Sequence, residues 1–142
     1  MGVLDGIKVL ELARVPPAEM PGMMLADMGA EVLKIDTPAE EDGASQRRAA
    51  FSYVNRNKRS IALNMKAPEG QALFRKLVAG VDVIIEGFRP GVTKRLGADY
   101  ETLRQDNPRL VYCSLSGFGH SGPGRVSITT SHTEPPSPCP LP

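Results

Sequence analysis

Four short stretches of this 142-residue chain combine basic residues, prolines and glycines in ways that suit anion binding. Arg14 precedes Val15-Pro16-Pro17. Asn55-Arg-Asn-Lys-Arg-Ser60 is the densest charge cluster and leads into Leu63-Asn-Met-Lys66. Arg89 sits within Glu86-Gly-Phe-Arg-Pro-Gly91, and Ser116-Gly-Phe-Gly-His-Ser-Gly-Pro-Gly124 closes the series. Guanidinium and ammonium groups bring both charge and directional donors to phosphate oxygens. A Pro-Gly pair turns the backbone tightly, so Phe88 and Arg89 should project from a fixed loop, with Arg89 as an anion clamp. Glycines in the last stretch permit close approach of backbone to a ligand. The run Asn55–Ser60 reads first as a solvated loop and second as a phosphate holder. His120 has no acid within sequence reach and reads as structural.

Other chemistries are excluded by what these stretches lack. A dinucleotide site needs Gly-x-Gly-x-x-Gly after the first strand, so that backbone can approach a pyrophosphate. That motif is missing, so no NAD is expected and Asp36 reads as a strand-end cap. A Walker A loop is also missing. Cys113 and Cys139 make neither a disulfide scaffold nor metal-ligand spacing, so no metal is expected. Nucleic-acid binding needs a wider basic face with stacking aromatics, and only Phe51 and Tyr53 flank the basic cluster. No nucleic-acid partner follows.

The intervening segments must position these loops. Ile7–Leu12 is a short apolar run of the buried-strand kind. Pro16 and Pro17 suit a helix start, where a missing N–H is harmless. From Ala18 to Met28, Met20, Met24, Leu25 and Met28 recur at helical spacing, and Gly29 suits the stop. Ala30–Asp36 reads as a second strand, which completes a right-handed βαβ unit. The alternation returns with a helix over Pro68–Val78, carrying Ala72, Leu73, Leu77 and Val78 on one face. A strand over Val81–Glu86, a short helix over 99–107 stopped by Asn107-Pro108, and a strand over Arg109–Leu115 follow. The predicted fold class is α/β, a Rossmann-like doubly wound sheet that is mainly parallel. In such sheets ligands bind at the carboxyl ends of strands, and the four stretches fall there.

Charge divides the chain at one point. All 17 basic residues lie within residues 1–125, while 126–142 carry one charge, Glu134, with five of the 13 prolines and six Ser/Thr. Too little apolar material remains there to offset the entropy of ordering, so 126–142 reads as a disordered tail after a folded segment at 1–125. Net charge is +1, giving no global pull toward nucleic acid or a membrane surface. No apolar stretch approaches the ~20 residues of a membrane span, and the N-terminus lacks a secretory layout. A cytoplasmic protein without membrane contact is expected.

Five segments in register carry a resemblance. These are Gly6-Ile-Lys-Val-Leu-Glu-Leu, Leu25-Ala-Asp-Met-Gly-Ala-Glu-Val-Leu-Lys-Ile-Asp, Arg56-Asn-Lys-Arg-Ser-Ile-Ala-Leu-Asn, Glu86-Gly-Phe-Arg-Pro-Gly and Asn107-Pro-Arg-Leu-Val-Tyr. Over residues 3–125 the chain resembles the N-terminal part of the family III CoA-transferases, which include the α-methylacyl-CoA racemases. The resemblance implies a Rossmann-like large domain, an interlocked homodimer and an acyl-CoA partner. By position it implies coenzyme A contacts at Val15, Pro16, Pro17, Leu63, Asn64, Lys66, Gly87, Phe88, Arg89 and Arg95. Glu86-Gly-Phe-Arg-Pro-Gly is more similar to the racemase branch. The family's acid/base histidine, in Gly-His-Asp-Ile-Asn-Tyr, and its catalytic aspartates lie beyond the Gly-Phe-Gly segment. Ser131-His-Thr-Glu134 does not match that motif, so no catalytic residue is assigned. The expectation is a truncated, inactive racemase-like piece. The alternatives are a CoA-transferase and a non-catalytic protein acting through CoA binding or its Pro-rich tail.

Overall fold

The computed structural model describes residues 2–38, 52–117, 119 and 121. The strands are β1 (Lys8–Leu12), β2 (Glu31–Asp36), β3 (Lys58–Ala62), β4 (Val83–Glu86) and β5 (Val111–Ser114). Helix α1 (Pro16–Asp27) joins β1 to β2. Helices α2 (Pro68–Val78), α3 (Val92–Arg95) and α4 (Tyr100–Asp106) follow β3 and β4, and a 3-10 turn covers Ser52–Asn55. The strands form one sheet of order β3-β2-β1-β4-β5, every pair parallel. This is the α/β architecture expected from the alternation of apolar runs. The tail at 126–142, His132 and most of the loop from Phe118 onward lie outside the described residues.

Strand alternation divides the core between the two faces of the sheet. Leu10, Leu12, Ile84, Phe74, Val78 and Leu103 belong to one cluster, with α2 and α4 packed on that face. Val9, Val32, Ile85, Ala26 and Ala30 form the other, under α1. The buried side of α1 is not the methionine stripe. Met20, Met24 and Met28 are exposed, while Ala18, Glu19, Gly22, Met23 and Ala26 are buried. Small residues let the helix sit close to the sheet, and that requirement overrode the apolar spacing. On α2 the inward residues are Gly70, Phe74 and Val78, and Leu73 is exposed.

The run Asn55–Ser60, expected as a loop, instead leads into an edge strand, β3. Its residues Lys58, Arg59 and Ser60 look polar, but Lys58–Ala62 pairs in register with Val32–Asp36. An edge strand has one partner and tolerates charge, which conceals it from a search for apolar runs.

Helix α4 is started by Asp99, whose side chain accepts from the Thr102 N–H at 3.2 Å and the Thr102 hydroxyl at 2.8 Å. Partial burial pushes this carboxyl up, but the Thr102 bonds outweigh it and hold it below its ordinary value. Asp99→Ala should therefore cost about 1 kcal/mol, the usual value of an N-cap. Thermal unfolding of the variant checks this; an unchanged midpoint would show that the cap contributes nothing.

Candidate functional site

A parallel sheet places all its strand ends on one edge, and the order reverses between β1 and β4. Connections leave β1 toward β2 on one side and β4 toward β5 on the other, so a crevice opens between their carboxyl ends. Two of the four basic stretches meet there. Val15, Pro16 and Pro17 follow β1, and Gly87, Phe88 and Arg89 follow β4. A Cβ built on Gly87 would lie 2.4 Å from the Ala18 Cβ, so the two loops touch and residue 87 has no room for a side chain.

The β4 loop is held by a buried acid at the end of its strand. Glu86, 1% exposed, accepts the Phe88 N–H at 2.8 Å and the Ser114 hydroxyl, fixing the turn that presents Arg89. Gly91 has φ +84°, a left-handed geometry that glycine adopts without strain, and it returns the chain into α3. The Arg89 carbonyl accepts the Val92 N–H at 3.1 Å, while its side chain is exposed and its guanidinium makes no hydrogen bond or ion pair among the described residues. Burial and the Glu86 charge push the nearby Tyr112 hydroxyl above its ordinary value, so it stays neutral and donates to the Ala98 carbonyl at 2.8 Å.

The start of α1 is unlike a dinucleotide-binding turn. Pro16 and Pro17 remove two of the N–H groups that a helix offers to phosphate, and the Ala18 and Glu19 N–H groups bond the Val15 carbonyl. An anion here must be met chiefly by side chains.

The other expected contacts lie farther along the edge. Leu63, Asn64 and Lys66 follow β3, three ladder spacings from β4, or about 14 Å. Asn64 accepts the Lys66 N–H at 2.9 Å, and Gln71 donates to the Met65 carbonyl at 3.1 Å, so α2 fixes this loop. Leu63 is buried and Lys66 exposed. Arg95 ends α3, exposed and outside the crevice. A ligand touching both the β3 and β4 ends must be elongated.

The basic cluster is paired within the chain. Arg56 pairs with Asp27, and Asn57 donates to the same carboxylate at 2.9 Å, holding it below its ordinary value. Arg59 pairs with Glu31 at 3.3 Å. Lys58 turns inward, with its ammonium 2.7 Å from Glu11 Oε2 and 2.8 Å from the Glu19 carbonyl. Lys58 departs from both the solvated-loop and the phosphate readings, while Arg56, Asn57 and Arg59 remain exposed as they bind carboxylates of α1 and β2. Glu19 also pairs with Lys34, which donates to Asn55 Oδ1 at 3.0 Å. Two buried acids and two buried lysines thus balance under α1. The signal in the sequence was a charge at an inward strand position, Glu11 two residues after Val9 and Lys34 two after Val32.

The chain matches the family described as CoA-transferase family III over residues 4–129. It belongs to that family. The family's members include relatives with two kinds of name. The chain is 45% identical over 134 residues to a succinate–glutarate CoA-transferase of Agrobacterium fabrum, covering 84% of this chain and 34% of that protein. It is 42% identical over 120 residues to the mouse alpha-methylacyl-CoA racemase, covering 84% and 29%. Among solved structures, a CAIB/BAIF family protein from Brucella suis shares 42% identity with a TM-score of 0.79, over 87% of this chain and 36% of that one. The chain therefore spans about a third of the length of the curated relatives it matches. As a family III member it carries the fold of its relatives' aligned portion, built without a helix long and apolar enough to cross a membrane among the described residues. No group of metal-ligating side chains occurs among those residues either.

Proposed function

We propose that this chain forms the coenzyme A-binding part of an acyl-CoA enzyme. The observation that carries the reading is the reversal of strand order between β1 and β4, where the Arg89 guanidinium is exposed and without a protein partner among the described residues and the neighbouring start of α1 is poor in N–H donors. Coenzyme A is elongated and bears phosphates along its length, which suits donors placed both at this crevice and at the end of β3. Arg89 pairs with a phosphate, Val15, Pro16, Pro17 and Phe88 offer apolar surface, and Lys66 and Arg95 add positive charge farther out.

Two reactions fit the relatives. Racemisation of a 2-methylacyl thioester is favoured by Glu86-Gly-Phe-Arg-Pro-Gly91, in which Gly87 admits no side chain. Transfer of CoA between acids is the second reading, supported by similarity to the succinate–glutarate CoA-transferase. Proton abstraction needs a positioned base, and the acids beside the crevice are engaged: Glu11 by Lys58, Glu86 by Phe88 and Ser114. The chain by itself therefore binds acyl-CoA without turning it over. A family-type homodimer and a cytoplasmic location complete the reading.

Calorimetry with coenzyme A tests it. Wild type should bind, and Arg89→Ala should bind about tenfold more weakly or worse, as loss of a charge-assisted bond implies. Absence of any heat from the folded wild type at millimolar ligand would refute the proposal. Deuterium entry at the α-carbon of 2-methylacyl-CoA would contradict the claim of no turnover.

A further inference from the structure

The buried lysine of β3 has a use that neither phosphate binding nor a solvated loop accounts for. Lys58 is 2% exposed at its side chain and reaches under α1 to join two elements, the Glu11 carboxylate on β1 and the Glu19 carbonyl in the first turn of α1. That turn is short of its own bonds. Pro16, Pro17 and Pro21 lack N–H groups, so the Pro17 carbonyl loses its usual intrahelical donor. The bonds from Ala18 and Glu19 to the Val15 carbonyl help fix the turn, and two lysines bind Glu19 beneath it. The contact is close on every side: a Cβ on Gly22 would lie 1.7 Å from Glu11 Oε2 and 3.3 Å from Lys58 Nζ. Ala18, in the same turn, abuts Gly87 of the opposite loop.

We infer that Lys58 is a positioning residue, which sets the depth of the first turn of α1 on the sheet and so the placement of Val15–Pro17 at the crevice. The inference rests on the coenzyme A reading for its functional consequence, while its structural consequence does not. Side chains that order a loop before the ligand arrives raise affinity by sparing the ligand that cost. Removing the strut lowers the fraction of molecules with the loop in place, and apparent affinity falls by the same factor.

The double variant Lys58→Met/Glu11→Gln is the test, because it removes the strut without leaving a buried carboxylate unpaired. Two measurements apply to the full chain. In hydrogen exchange, the Ala18 and Glu19 amides should exchange about tenfold faster or more, with the β1 and β4 amides unchanged. In calorimetry, coenzyme A should bind roughly tenfold more weakly. The salt dependence of binding should stay that of wild type, since Lys58 touches no phosphate, whereas Arg89→Ala should flatten it. Unchanged exchange at Ala18 and Glu19 overturns the inference, and so does a uniform rise across the sheet. Unchanged affinity, or a flattened salt dependence, in a chain whose wild type binds also overturns it. A wild type that fails to bind refutes the coenzyme A reading, and the exchange result then decides the role of Lys58 alone.

Discussion

Lys58→Met alone is expected to cost about 3–5 kcal/mol at pH 8, the usual consequence of removing one partner of a buried ion pair, and less at pH 5. Glu11 is 0% exposed, and its Oε1 has no hydrogen-bond partner, so Lys58 supplies most of its compensation. Burial pushes the Glu11 carboxyl above its ordinary value. The Lys58 bond and charge, with Lys34 behind them, pull it back, and Glu19 adds to the upward push. Without Lys58 the carboxyl rises further. A carboxyl raised in the folded state keeps a proton that the unfolded chain releases. The stability it contributes is complete below its unfolded value of 4.5 and is lost as pH rises through the folded one. The variant should therefore recover on acidification through this window, relative to wild type. Urea unfolding at both pH values decides the matter. A loss equal at pH 5 and pH 8 would contradict the assignment of the penalty to Glu11.

Gly22→Ala should destabilise by a similar amount, about 3 kcal/mol, although alanine in a helix interior ordinarily gains about 0.5–1 kcal/mol over glycine. The added Cβ would fall 1.7 Å from Glu11 Oε2 and 2.9 Å from its Cδ. The end of a glutamate can swing aside on a surface. Here it is buried and bonded to Lys58, so either the ion pair opens or α1 lifts from the sheet. Denaturant unfolding separates the two expectations by sign. A variant as stable as wild type, or more so, would show that the helix accommodates the methyl group. On the proposed coenzyme A reading, weaker binding should accompany the loss, because Gly22 and Val15–Pro17 belong to one helix and its cap.

Much of this is readable along the chain because it depends on near neighbours. The apolar runs at 7–12 and 81–86 and the Pro-initiated helix at 68–78 fall within a few residues of the observed elements. Helix capping by Asp99 and the Pro90-Gly91 turn are likewise local. What escaped were faces and partners. Leu73 and the methionines of α1 have the spacing of an inward stripe, yet small residues and Phe74 took the core positions. Edge strand β3 was hidden because a strand with one neighbour needs no apolar run.

The family, the order of the elements apart from β3 and the short α3, and the loops that bear Arg89 and Val15–Pro17 were determined by the sequence alone. Propensity, turn chemistry and motif register act over a few residues, and a linear reading captures them. Only the tertiary structure decided which charges stay exposed and which face the core. Asn55–Ser60 has the composition of an anion site, but strand alternation turns Lys58 inward toward Glu11, 47 residues away. Desolvation makes that pairing obligatory, since a carboxylate buried at the inner face of β1 needs a cation that water cannot replace. Arg89 stays exposed at its turn, because the acid there, Glu86, is buried and bonded to the Phe88 N–H and the Ser114 hydroxyl.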